Sequence, residues 1–271
     1  MKFAICNEIF ADWSLDDTMA YVARAGYDAL EIAPFTMARQ VTDVSAAARR
    51  HAREQAAHHG IFISGIHWVL AQTEGLHLTC PDNATRQRTG DYLKHLVDFC
   101  ADLGGRAIVV GSPRQRNLEE GVTYLQGWQR ATEVFQAAVG HAAERDVVLC
   151  LEPLSPADTN FINTHTEAIG FVGQFGSPHF QIILDVKAMC SMGAPVPQII
   201  RESRGKFAYF HANDENLKGP GFGAVDFVPI AAALREVGYE GVVSVEVFKF
   251  EEGPEAIATR SLEYLKKAFS T

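Results

Sequence analysis

Several broad protein classes are closed to this chain by what it lacks. Its five cysteines, Cys6, Cys80, Cys100, Cys150 and Cys190, are odd in number, widely spaced and form no CxxC pair. That spacing indicates neither a disulfide framework nor a zinc ribbon, and it fits a reducing cytoplasm. No stretch approaches the roughly 20 apolar residues of a membrane span. Basic residues are outnumbered, 24 to 33, giving a formal charge of −9. A surface built for nucleic-acid phosphates or anionic lipid is therefore not expected, and neither nucleic acid nor membrane is an expected partner. After the first apolar run comes Asn7-Glu8-Ile9-Phe10, without the glycines of a dinucleotide fingerprint. The amino terminus enters a strand with no leader pattern. No low-complexity linker interrupts the chain, so residues 1–271 are expected to form one domain with a substantial core.

What is present is an alternation. Eight short apolar runs, near Phe3–Cys6, Ala29–Ala33, Ile61–Ile66, Ala107–Val110, Val147–Leu151, Phe180–Leu184, Lys206–Phe210 and Val242–Val247, are each followed by a longer amphipathic stretch. Ser14 and Gly26 bracket the first helix as amino cap and terminator. The strands are continuously apolar, which suits a sheet buried on both faces, and eight β then α units close an α/β parallel (β/α)8 barrel. A doubly wound open sheet is the rival, with fewer repeats as a rule.

Ionisable residues stand at the ends of four consecutive runs: Glu152, Asp185, His211 and Glu246. In a barrel those ends share one face, where active sites lie. Any one of these residues alone reads equally well as a helix cap or ion-pair partner. Together, three carboxylates and an imidazole would repel without a cation, and the oxygen-rich set suits Mn²⁺ first, with Mg²⁺ or Co²⁺ as alternatives. His211 is expected to be presented rather than buried, beneath a loop, Gly219-Pro220-Gly221-Phe222-Gly223, able to fold over it.

Glu152-Pro153, Leu184-Asp185, Phe210-His211 with Pro220-Gly221-Phe222-Gly223 behind it, and Val245-Glu246 resemble the xylose-isomerase-like TIM barrel superfamily. The similarity is to its sugar isomerase and epimerase branch, with the ketose 3-epimerases and hydroxypyruvate isomerases. The resemblance implies a metal-dependent epimerase or isomerase of a keto sugar or sugar acid, commonly assembled as a dimer or tetramer. It implies Glu152 and Glu246 as the catalytic pair, one removing the weakly acidic proton beside a carbonyl and the other returning it to the opposite face. Two departures unsettle the substrate. Ala188 stands where those epimerases carry a histidine three after the metal aspartate, and Leu217 where they carry an arginine six after the metal histidine.

Replacement substrate contacts are sought in His67, Arg114, Asn160 and Lys187. Each has a plainer reading: a satisfied structural histidine, a solvated arginine, a turn-forming asparagine, a salt-bridged lysine. Arg116 is weighed beside Arg114 as an anion contact, and Trp68, Phe161 and Phe222 as an apolar wall. Metal-dependent β-elimination from a 3-keto sugar, glycoside or inosose is the nearest competing activity, since proton removal is shared. An apurinic-site endonuclease, which holds more histidines, and a non-catalytic sugar-binding barrel are more remote.

Overall fold

In the computed structural model, which describes residues 1–270, the eight apolar runs form eight parallel strands closed into a barrel in sequence order. They are β1 (Lys2–Cys6), β2 (Ala29–Ile32), β3 (Phe62–Ile66), β4 (Ala107–Val110), β5 (Val148–Leu151), β6 (Phe180–Asp185), β7 (Phe207–Ala212) and β8 (Val242–Val245). The ring is completed by β8 against β1, with Phe3 opposite Val243 and Ile5 opposite Val245. Around it run α1 (Leu15–Ala25), α2 (Ala46–His58), α3 (Asn83–Leu103), α4 (Tyr124–Glu144), α5 (His165–Gly173), α6 (Val186–Cys190), α7 (Val196–Glu202), α8 (Phe227–Glu236) and α9 (Pro254–Ser270).

Local chemistry fixes the helix ends. Ser14 accepts from Asp17 N to start α1, and Gly26, at φ 94°, stops it in a left-handed turn that lacks a Cβ penalty only for glycine. Reciprocal capping boxes, Thr123 with Gln126 and Thr164 with Glu167, start α4 and α5 and satisfy otherwise orphaned amides. The main core lies between sheet and helices. Inside the barrel a smaller apolar plug of Ala107, Val109, Cys150, Ile183 and Tyr209 closes the floor. At Gly65 the strands approach so closely that a Cβ would overlap the Ala107 carbonyl oxygen.

Two features depart from the sequence reading. The short helix α6 was not expected, and it exists because the Asp185 side chain accepts from Ala188 N at 2.7 Å and so starts a turn. The glycine loop 219–223 does not cover the barrel mouth. It lies against α9, where side chains on Gly219 and Gly221 would collide with Ser261 and Tyr264.

Candidate active site

A cavity of about 400 Å³ opens at the carboxyl ends of the strands, lined by Glu152, Asp185 and Glu246 among others. With His211 these residues offer four ligand atoms that all lie within 4.8 Å of one another, and all four residues are buried. His211 is not presented as expected. It lies inside β7 with no exposure, because its ring is held between two carboxylates. Nε2 donates to both oxygens of Glu31 at 3.2 Å. Nδ1 stands 3.1 Å from Glu246 Oε2 yet has no partner of hydrogen-bonding geometry.

Second groups hold the acids in place. Asp185 accepts from Asn213 Nδ2 as well as from Ala188 N. Glu246 Oε1 accepts from Trp68 Nε1 at 3.1 Å and from His67 Nδ1 at 3.3 Å. Beside Glu152, Gly111 leaves room that a Cβ would fill, since that atom would overlap the carboxylate. An unpartnered imidazole nitrogen beside three buried carboxylates is a donor set able to hold a divalent cation, and its oxygen-rich character suits a six-coordinate ion.

The electrostatics of the protein alone point the same way. Burial, then Asp185 and Glu246, pushes the Glu152 carboxyl up to about 8. Burial and then Glu246 raise Asp185 to about 6. For Glu246, burial is outweighed by the nearby His211 charge and by the His67 hydrogen bond and charge, which hold it well below the usual carboxylate range. Burial likewise opposes ionisation of Glu31, but His211 and His67 bring it down to about 2. Two further groupings could hold an ion by proximity, Cys6-Glu31-His67-His211 and Glu8-His67-Glu246. The first has neither its thiol nor Glu31 among the cavity's lining residues, which favours the carboxylate-rich set for any ion that must meet a substrate.

The expected substrate contacts divide. His67 is at the site, buried, with Nε2 donating to Glu8 Oε2 at 2.9 Å and Nδ1 against Glu246; despite burial, Glu8 and Glu31 raise it to about 10. Lys187 also lines the cavity, but its Nζ is bonded to Asp158 at 2.7 Å and sits over the Phe248 ring. Arg114 is exposed and lies outside this cavity, in a neighbouring one. Asn160 is turned away altogether: its amide accepts from Leu118 N at 2.7 Å and donates to Leu118 O at 3.1 Å, tying two loops together. Arg116, far from gripping a ligand, is buried and donates to the carbonyls of Glu152 and Val110, bracing the strand ends from below. Of the expected aromatic wall only Trp68 lines the cavity. Phe161 packs in the core against Tyr124 and Phe171, and Phe222 lies under Arg260.

Sequence reasoning missed Glu31 and Phe248, and within the segment Asp158-Thr159-Asn160-Phe161, read as able to contact substrate hydroxyls, it favoured Asn160 where the cavity is lined by Asp158. Glu31 carried a signal, an acid inside a short buried strand; Phe248 carried none beyond its place in a loop after a strand end.

Comparisons with known proteins agree with this fold. Residues 19–268 match the family model described as Xylose isomerase-like TIM barrel. The L-ribulose 3-epimerase of Mesorhizobium japonicum is 27% identical over 245 residues, covering 89% of this chain and 78% of that protein. The D-psicose 3-epimerase of Ruminiclostridium cellulolyticum is 28% identical over 235 residues, covering 84% and 76%. Among solved structures, a D-psicose 3-epimerase crystallised with D-fructose superposes with a TM-score of 0.87 at 20% identity over 100% of both chains. A 3-keto-D-glucoside 4-epimerase from E. coli superposes with 0.86 at 20% identity over 98% of this chain and 99% of that one.

Proposed function

The chain belongs to the xylose isomerase-like TIM barrel family, and from that premise we propose that it is a divalent-metal-dependent epimerase of a neutral keto sugar. Glu152, Asp185, His211 and Glu246 are the residues that would hold the ion, with Mn²⁺ the cation best suited to three carboxylates and one imidazole. When bound, the ion supplies positive charge that stabilises the anion left when a proton leaves the carbon beside a carbonyl.

The protein's own side chains supply the proton transfers. Glu152 and Glu246 follow β5 and β8, and both border the same cavity. A carboxylate that takes a proton and a carboxylic acid that gives one, approaching from two strand ends, are what inversion of a carbon centre requires. Trp68 and His67 donate to Glu246 and fix which of its oxygens is free to act. That pair of carboxyls on one cavity, within a cluster able to hold a cation, is the observation that carries the proposal.

The choice of a neutral sugar over a sugar acid follows from charge. Lys187, the one lysine among the described residues lining the cavity, is already neutralised by Asp158, and no arginine lines it. Relatives that act on ribulose and psicose by their names support the keto-sugar class. A cytoplasmic setting is part of the same proposal, supported by five free cysteines; no helix among the described residues is long and apolar enough to cross a membrane. Assembly into dimers or tetramers rests on family likeness.

Incubation of the Mn²⁺-loaded protein with a panel of ketoses in D₂O tests the reading. Deuterium at the carbon beside the carbonyl, accompanied by the epimer, is expected. Loss of water or of an aglycone instead would place the protein among the β-eliminating enzymes, and no exchange on any ketose would refute the proposal.

A further inference from the structure

A second cavity, of about 790 Å³, adjoins the first and shares Trp68, Pro113 and Phe248 with it as a common wall. Its other lining residues include Phe35, Phe250, Glu8 and Arg114, from segments that follow β2, β8, β1 and β4. Aromatic faces and hydrogen-bonding edges are mixed there, which is the lining a sugar ring wants, since its C–H face packs on an aromatic ring while its hydroxyls need polar partners.

Two details single the cavity out from an ordinary surface hollow. Glu8 is about nine-tenths buried; its Oε2 is taken by His67, but Oε1 has no hydrogen-bond partner. A buried carboxylate oxygen without a donor is a costly arrangement, which rotation of the Glu8 side chain onto a ligand hydroxyl in the cavity would relieve. Trp68, on the dividing wall, has φ 54°, a left-handed backbone that bulky residues rarely adopt and that clusters at ligand sites. Its indole meets the edge of Phe248 at 6.1 Å between centroids, so the wall between the cavities is itself aromatic.

We propose that the outer cavity is a second sugar subsite and that the keto sugar turned over in the inner cavity carries a glycosyl unit. The keto group then sits among Glu152, Asp185 and Glu246, while the appended ring packs on Phe35, Phe250 and the outer side of Trp68 with a hydroxyl toward Glu8. The inference rests on the keto-sugar reading above and adds the size of the substrate to it.

Isothermal titration of the Mn²⁺-loaded protein tests it with two sets of ketoses, D-fructose and D-psicose against isomaltulose and leucrose, which are fructose glucosylated at O6 and O5. The glucosylated ketoses are expected to bind at least tenfold more tightly, and Phe250→Ala and Phe35→Ala are each expected to shrink that gap below about threefold. Equal affinity for the two sets, or a gap that survives both substitutions, overturns the subsite. Deuterium exchange on the same sugars reads the catalytic proposal separately. Exchange without preference sinks the subsite alone, preference in binding without exchange sinks the epimerase alone, and failure of both sets to bind sinks both.

Discussion

Lowering the pH from 8 to 6 is expected to weaken Mn²⁺ binding by about a hundredfold. The magnitude comes from two carboxyls. Glu152 lies at about 8 because burial and then Asp185 and Glu246 oppose its charge, so about one molecule in a hundred has it ionised at pH 6 against half at pH 8. Asp185, at about 6 through burial and Glu246, is half-protonated at pH 6 and halves the competent fraction again. Both folded values lie above the ordinary ones, so both groups hold protons that must leave before their oxygens can accept a cation, and affinity rises with pH. His211, raised well above its usual value by Glu246 and Glu31 against the effect of burial, adds to the dependence in the same direction. The metal-free fold shows the reverse: as pH climbs from the ordinary carboxylate value of 4.5 toward 8, ionising Glu152 in its buried cluster costs stability. The melting-temperature gain on adding Mn²⁺ should therefore widen across that window. Protein stripped with a chelator is titrated with Mn²⁺ at pH 6, 7 and 8 while the free ion is followed by electron paramagnetic resonance. An affinity that changes by less than about threefold over that range would show that these carboxyls are not the ligands.

Three further outcomes are expected. Glu152→Gln and Glu246→Gln should each lower kcat for epimerisation by about 10²- to 10⁴-fold, the range for loss of a positioned acid or base, and single-turnover exchange in D₂O separates the face each one serves. Glu31→Gln keeps an acceptor for His211 Nε2 but removes the charge, and should weaken Mn²⁺ binding about 10- to 100-fold, as loss of a ligand's outer carboxylate does; unchanged affinity would make Glu31 a packing residue only. Asn160→Ala should cost about 1 kcal/mol of stability through the two lost Leu118 bonds and leave kcat/KM within twofold, whereas a large rise in KM would restore Asn160 to the substrate pocket.

The strands were legible in the sequence, and for a physical reason. A parallel strand buried on both faces is apolar throughout, so an ionisable residue that ends such a run stands out, and Glu152, Asp185 and Glu246 were found that way. The same logic reached His211 but misjudged its depth, because a run's apolar character says where a strand lies and not how far a polar residue at its end is sheathed. Only the spatial neighbours Glu31 and Glu246, 180 and 35 residues away in sequence, explain how an imidazole is tolerated with no exposure. Loop residues carry no such periodicity. Asp158 and Asn160 are two positions apart in one turn, and the first borders the cavity while the second pairs with Leu118 across a neighbouring loop. That difference is set by the path of the β4 loop, which nothing local to Asn160 encodes. On the proposed reading the division has a functional corollary: strand ends carry the groups assigned to the proton and the cation, while the loops beyond them are placed to select the sugar. Reaction class is thereby the part a sequence discloses first. Substrate size has to be sought where Trp68 turns left-handed between two cavities.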